Sequence, residues 1–471
     1  MKSDELCSLS AARLAALIAK REVSPVEVLD ATLARIDRLE PKLNCFVTVL
    51  RDEARAAAQE AERAIAAGNY RGPLHGIPVA LKDIFELAGS RTTASSKIMA
   101  AHVSQSDCTV ARRLKDAGAV IVGKTNLHEF AIGVTTNNPH FGPTRNPWDT
   151  SRIPGGSSGG SGAAVAASLC TAATGTDTGG SIRIPSFYCG IVGLKPTFGR
   201  VSKAGVVVLS WTLDHTGPMT KSVEDAAIFM QAIAGYDPAD PSSADVPVPD
   251  FRQAVGREVK GLRLGVPREF FFDAVEPEVE SAVRAAIATL EGLGVTVEEI
   301  SLPHIHYTPG AFSAIIQSEA AAFHEPWLTT RPQDYGADVR ARLEAGRTIL
   351  ATQYVNAQRA RTVIKGDFER ALAKVDAIAT PTVPAVAVPI GEETVQIKGK
   401  TYELRPTANR LTSPINMTGL PAISLPCGFS ANGLPIGMQL VGRAFDEPML
   451  LTLAHAYEAS TEWHNRQPPV A

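Results

Sequence analysis

Two serines, Ser157 and Ser181, sit in glycine-rich loops 24 residues apart. A serine in such a loop can serve as a nucleophile or as a hydrogen-bond relay. The first loop reads Pro154-Gly155-Gly156-Ser157-Ser158-Gly159-Gly160-Ser161-Gly162, the second Gly175-Thr176-Asp177-Thr178-Gly179-Gly180-Ser181. Glycine lets a backbone turn tightly and approach a ligand, at roughly 0.5–1 kcal/mol each in regular structure, so this concentration shapes a site. N–H groups around such a turn can cradle a developing oxyanion. A flexible linker is the plain alternative, but a linker is polar throughout. Here Ala163-Ala164-Val165-Ala166-Ala167 intervenes as a short buried helix, followed by a strand-like run from Leu169 to Thr174.

A serine nucleophile needs a base, and the usual one is a histidine oriented by an acid. None of the ten histidines lies in either loop, the nearest being His128, His140 and His215. The elbow pattern G-x-S-x-G does not fit Gly179-Gly180-Ser181-Ile182-Arg183. A lysine is the other solution. Lys82 ends the apolar run Ile77-Pro78-Val79-Ala80-Leu81 and precedes Asp83, so it projects from a strand end. Lysines are mostly solvated surface charges, and context alone leaves both readings of Lys82 open.

Taken together, Lys82-Asp83, the two loops and Ile182-Arg183-Ile184-Pro185 resemble the amidase signature family. The likeness continues through Cys189–Thr197 and Gly199-Arg200-Val201-Ser202 to Gly433–Gln439, nearly the whole chain. It implies a Ser–cis-Ser–Lys triad: Ser181 as nucleophile, Ser157 as bridge after a cis peptide bond, Lys82 as general base. Ser158 is then a supporting hydrogen-bonder. The N–H groups of Thr178, Gly179, Gly180 and Ser181 line the oxyanion hole. Asp177 and Arg183 bracket the nucleophile and are expected to pair and stiffen the loop, with a substrate-carboxylate role for Arg183 as the alternative. Lysine titrates near 10.4, so keeping Lys82 neutral at pH 7 without a shift would cost roughly 4–5 kcal/mol; burial must lower its pKa.

The same resemblance puts Phe130, Ala131 and Ile132 along the substrate pocket, with Phe130 and Ile132 favouring an apolar group or else belonging to the core; the 304–369 region and the turn Arg405–Ser413 are expected on the other side. Acyl-enzyme chemistry of this kind opens small amides, anilides, esters or carbamates. The second functional expectation is a glutaminase subunit of a tRNA-dependent amidotransferase. That reading needs a cation for glutamine's α-carboxylate, and Arg405 or Arg410 is the expected source.

The elements that must position these residues alternate between strand and helix. Ser24-Pro25-Val26-Glu27 is a capping box that launches a helix to about Glu40, and Arg51 to Ala67 is a second helix. Strands are expected at 79–82, 119–122, 262–266, 295–298, 377–380, 422–425 and 437–441, helices at 108–117 and 276–290, and mainly helix over 304–369. This alternation predicts an α/β fold. The family likeness implies one α/β/α domain with a mixed, largely parallel sheet. The expected organisation is a helical segment over 1–70, the triad core over 71–235, a surface connection over 236–260, and the rest of the same domain over 261–471.

Two patterns are decoys. Gly118–Thr125 matches G-x-x-x-x-G-K-T, but its middle residues are themselves a strand and cannot also be a phosphate loop. His304-Ile305-His306 lacks nearby carboxylate or cysteine partners for a metal. No metal and no cofactor is expected. A net charge of −3 argues against nucleic-acid and anionic-membrane partners. No run approaches the ~20 apolar residues of a membrane helix. Six scattered cysteines without a C-x-x-C pair suit a reducing compartment. The expectation is therefore a cytoplasmic monomer or homodimer acting on a small-molecule amide, ester or carbamate, with no nucleic acid and no membrane.

Overall fold

A computed structural model describes residues 2–470. Its strands are β1 Phe46–Val49, β2 Pro78–Lys82, β3 Val120–Thr125, β4 Ala172–Thr176, β5 Val192–Lys195, β6 Thr216–Thr220 and β7 Arg263–Pro267. They continue with β8 Thr296–Ile300, β9 Ala377–Pro381, β10 Thr394–Ile397, β11 Lys400–Glu403, β12 Ala422–Phe429 and β13 Pro435–Val441. Eleven form one sheet in the order β1-β3-β2-β4-β6-β5-β12-β13-β9-β7-β8, while β10 and β11 pair as a separate hairpin. A single sheet flanked by helices thus runs through both halves of the sequence, and the chain is one α/β domain.

The sheet is mixed. Parallel pairs form two blocks, β3-β2-β4 and β9-β7-β8. Between them and at the β1 edge the pairs are antiparallel. The parallel share is smaller than strand–helix alternation predicts. The physical reason is connectivity: no helix separates β5 from β6, and a short turn over 430–434 joins β12 to β13. Strands joined without a crossover pair antiparallel.

Helix starts follow local chemistry. Ser24 Oγ accepts the Glu27 N–H at 3.1 Å and Glu27 accepts the Ser24 N–H at 2.8 Å, so helix Pro25–Leu43 begins at the expected box. It runs past Glu40 and stops where Asn44 turns left-handed at φ 52°. Within 1–70 the chain is not only helical, because β1 adds the sheet's edge strand.

Side chains on β2 and β3 alternate between two cores. Val79, Leu81 and Ile121 enter the larger cluster; Ala80, Val120 and Val122 join the smaller one with Leu29, Ile36 and Ala163 to Ala167. That period of two carries Lys82 to the face of Ala80, against which helix Gly159–Ala166 packs.

Candidate active site

β2 is buried along its length and delivers Lys82 at its C-terminal end. Lys82 Nζ lies 2.7 Å from Ser157 Oγ and 2.7 Å from Thr176 Oγ1, while its N–H donates to Thr174 Oγ1 at 2.9 Å. Burial pushes the Lys82 pKa down to about 7, against an opposing pull from the Asp214 and Asp177 carboxylates. Asp83 turns the other way and pairs with Lys124 at 3.0 Å. Lys124, the lysine of the G-x-x-x-x-G-K-T match, is therefore buried inside β3 and already has a counter-ion.

The Gly156–Ser157 peptide is cis. The Ser157 carbonyl accepts the His128 N–H at 3.1 Å and the Thr136 hydroxyl at 3.3 Å. Ser158 joins the two loops: its N–H donates to the Ser181 carbonyl, and its Oγ exchanges hydrogen bonds with the Thr176 backbone, all at 3.3 Å.

Asp177 is the hub of the second loop. Its carboxylate accepts the N–H groups of Gly180 at 2.8 Å and Ile182 at 3.2 Å, Arg183 Nε at 3.0 Å and Nη2 at 2.9 Å, and Asn416 Nδ2 at 2.9 Å. Burial pushes the Asp177 carboxyl up, but Arg183, Lys195 and Asn416 outweigh it and hold the group well below the carboxylate range. Arg183 also donates to Gln439 Oε1, the Thr412 carbonyl and Asn416 Oδ1, at 3.0, 3.1 and 2.7 Å. It is fully buried and engaged on all three nitrogens, which leaves it no free face for a substrate carboxylate.

This clamp changes the donor set. The Gly180 N–H is committed to Asp177 and cannot also serve an oxyanion, whereas the N–H groups of Thr178, Gly179 and Ser181 bond to no described residue. Gly180 sits at φ 130°, and a Cβ there would lie 2.2 Å from Thr412 Oγ1. Only glycine fits that position. Ser181 is 7 % exposed, and no described residue hydrogen-bonds its Oγ. Such contacts often tighten only with substrate bound.

A cavity of ≈ 210 Å³ meets this site at Thr176 and Thr178 and is walled by Ile84, Ala131, Lys203, Val206 to Leu209 and Asp214. That is below the roughly 300–1,000 Å³ usual for drug-sized ligands. Of the three expected pocket residues only Ala131 lines it. Phe130 packs against His324, Trp327 and Tyr335 at 4.4, 5.8 and 5.8 Å, an aromatic core. Ile132 is 3 % exposed and offers its carbonyl to Arg342 at 2.6 Å. The two expected carboxylate grips also lie elsewhere. Arg410 donates to the Phe270 carbonyl at 2.7 Å and stacks on that ring, and Arg405 sits near Arg342 and Asp338.

Sequence reasoning missed Asp214, Asn416 and Gln439, while Thr412 lies in the turn Arg405–Ser413 that was expected beside the pocket. Asp214 accepts the Thr178 hydroxyl at 2.6 Å, and Thr412 is bonded to the Gly179 carbonyl at 2.6 Å. Among the histidines, His128 Nε2 faces Asp338 at 3.0 Å, and His215 Nδ1 bonds the Leu213 carbonyl at 2.7 Å. Burial, then the Lys195 charge, keeps His215 far below its usual pKa. His304 pairs with Asp367, and no cluster of metal-ligating side chains occurs among the described residues.

The amidase family profile matches residues 27–451. The chain belongs to the amidase family. It is 46 % identical to one subunit of the glutamyl-tRNA(Gln) amidotransferase of Moorella thermoacetica, over 98 % of this chain and 99 % of that one. The solved structure of the corresponding Thermotoga maritima subunit is 36 % identical, covers 100 % of this chain and 98 % of its own, and superposes with a TM-score of 0.81. A chain from a vestigial complex that reveals the origins of an s-triazine catabolic enzyme gives 0.93 at 35 % identity, over 96 % of this chain and 98 % of that one. These likenesses overturn one expectation. A monomer or homodimer confined to a small molecule and remote from nucleic acid does not stand, because a relative matching end to end is named as one subunit of an enzyme of glutamyl-tRNA(Gln). No helix of the described residues is long and apolar enough to cross a membrane.

Proposed function

We propose that this amidase is the amide-hydrolysing subunit of an amidotransferase-type assembly in the cytoplasm, releasing ammonia from glutamine through an acyl-enzyme on Ser181. The observation that carries the reading is the likeness over 98 % of the chain to a subunit of that kind. Neutral Lys82 takes a proton from Ser157 as Ser157 takes one from Ser181. Ser181 Oγ bonds to the carboxamide carbon, and the electron pair moves onto the carbonyl oxygen. The N–H groups of Thr178, Gly179 and Ser181 hold that charge; losing one such donor typically costs about 10²–10³ in rate. As the C–N bond breaks, the proton returns through Ser157 to the leaving nitrogen, which departs as ammonia. Water repeats the sequence on the acyl-enzyme, releasing glutamate and restoring Ser181. A pKa of about 7 at Lys82 supports this role, since a base works best when it titrates near the working pH.

A second reading is a hydrolase of small amides, anilides, esters or carbamates. Its support is the backbone likeness of 0.93 to the chain from the s-triazine work, against 0.81 to the Thermotoga maritima protein, with nearly equal identity to both. One assay separates the two. Ammonia release from glutamine is compared with turnover of an aryl amide and an aryl carbamate. The first reading expects glutamine to lead and ammonia to reach glutamyl-tRNA(Gln) once the partner chains are co-expressed. Turnover confined to the aryl substrates, with or without partners, supports the second.

A further inference from the structure

Behind the Ser157 loop runs a strap, residues 128–136, whose backbone is bent against the ordinary preference of its side chains. It holds one short turn, Glu129–Ala131, and no strand. Phe130, Ala131 and Thr136 take the left-handed conformation at φ 49°, 61° and 57°. Thr136 stands out among them, since a β-branched side chain is seldom found there. It is fully buried, so no contact with solvent holds it in that shape. Its hydroxyl meets the Ser157 loop at three places. It lies 2.8 Å from the Gly155 carbonyl and 3.3 Å from the Ser157 carbonyl, and it accepts the Gly159 N–H at 3.1 Å. One side chain thus grips the backbone two residues before Ser157, at Ser157 itself and two residues after it. Local backbone strain of this kind persists only where the surroundings enforce it, and it clusters at active sites.

We propose that Thr136 is a positioning residue for the bridging serine, its hydroxyl fixing the backbone of 155–159 so that Ser157 Oγ stays within reach of Lys82. The proposal rests on the proton path Ser181–Ser157–Lys82 proposed above, but not on which amide is cleaved. Distance sets the demand. Ser157 Oγ stands 2.7 Å from Lys82 Nζ, and a displacement of about 1 Å at a reacting group can cost about 10²-fold in rate. The strap can hold that backbone because it is itself fastened from the far side. The buried Glu129 carboxylate accepts the Gly336 N–H at 2.8 Å and the Ser96 hydroxyl at 2.5 Å, and it faces His140 at 3.0 Å. Arg342 holds the Ile132 carbonyl at 2.6 Å, and Asp338 faces His128 at 3.0 Å. The Thr136 carbonyl accepts the Thr144 N–H at 3.2 Å. Among the described residues, both hydrogen bonds to the Ser157 carbonyl come from the strap, one from the His128 N–H and one from the Thr136 hydroxyl.

A double-mutant cycle on the rate of phosphonate labelling at Ser181, measured on the full chain, tests this. Thr136→Val keeps the size and the β-branch and removes only the hydroxyl. It is expected to slow labelling about 10- to 100-fold where Ser157 is present and by less than about twofold in Ser157→Ala. A residue that acts through Ser157 has nothing left to act on once that hydroxyl is gone. Thr136→Ser keeps its own hydroxyl and should label within about threefold of wild type. A purely structural role predicts the same fractional loss in both backgrounds, and that result overturns the proposal. Labelling of Thr136→Val at the wild-type rate overturns it too. If Thr136→Val does not fold, Thr136→Gly takes its place in the cycle, because glycine lacks the hydroxyl yet adopts φ 57° freely. A wild type that takes no label at Ser181 would sink the proton path and this proposal together, whereas a labelled wild type with equal losses sinks the positioning role alone.

Discussion

Lys82 has neither an exposed face nor an ion-pair partner within reach; its two side-chain contacts are hydroxyls. Burial therefore decides its state, and two effects of pH follow. The first is kinetic: kcat/KM should rise through an apparent pKa near 7 as Lys82 loses its proton. Lys82→Arg should lose that limb with most of the rate, because a guanidinium stays charged. Near-normal turnover with an unshifted profile in Lys82→Arg would put the base elsewhere. The second effect is on stability. The folded pKa is depressed relative to about 10.4 in the unfolded chain, so folding releases a proton between those values. Wild type should therefore gain on Lys82→Met by up to about 1.4 kcal/mol per pH unit from pH 7 to 10, and by nothing further below pH 7. Urea midpoints of the pair across that range check it; a constant difference means Lys82 is charged in the fold. The seryl side is checked by mass spectrometry. A phosphonate inhibitor should label Ser181 in wild type, leave Ser181→Ala unlabelled, and label Ser157→Ala more slowly.

At the scale of elements, the turn Asp177–Arg183 depends on one carboxylate. Asp177→Asn leaves Arg183 buried without its counter-ion, and breaking a buried pair this way costs about 3–5 kcal/mol. The expected result is a large drop in denaturation midpoint together with loss of phosphonate labelling; a variant as stable as wild type would show that Gln439 and Asn416 suffice. The sequence exposed this loop but not its fastening. Asp177 and Arg183 stand six residues apart in one motif, whereas Asn416 and Gln439 lie more than two hundred residues away, and local pattern carries no sign of them. The same contrast holds for strands. Apolar runs such as Val79–Lys82 and Ala377–Thr380 were legible because bulk and β-branching mark them. β5, Val-Gly-Leu-Lys, and β6, Thr-Gly-Pro-Met-Thr, were not, since their glycine and proline read as turn residues. Gly193 needs to be bare: a Cβ there would come within 2.1 Å of Ser186 Oγ on the helix above. Phe130 was ambiguous for a related reason, as its ring enters an aromatic cluster made by a helix from the distant 308–330 segment. The middle residues of the phosphate-loop pattern lie in β3 and Lys124 pairs with Asp83, so ATP is expected to leave Tm unshifted; a shift of several degrees would reopen the nucleotide reading.

Across the whole molecule, the proposed triad and its support come from opposite halves of the sequence. β1 to β6 belong to the first half, and β12 enters the sheet beside β5, pairing Ala422 with Lys195 and Ser424 with Gly193. The second half thus completes the central sheet and also supplies Thr412, Asn416 and Gln439 to the nucleophile turn. A fragment ending at 235 carries Lys82, Ser157 and Ser181, yet it would expose the β5 edge and leave Arg183 with Asp177 alone. An open apolar edge is an aggregation template, and an under-satisfied buried guanidinium destabilises the turn. Residues 1–235 expressed alone should therefore aggregate and take no phosphonate label. Co-expression with 236–471 should recover labelling at Ser181, because the break falls in the connection 236–250, which has no helix or strand. Labelling of the isolated first fragment at the full-length rate would refute this, and the second half would then matter for substrate and partner rather than for building the nucleophile.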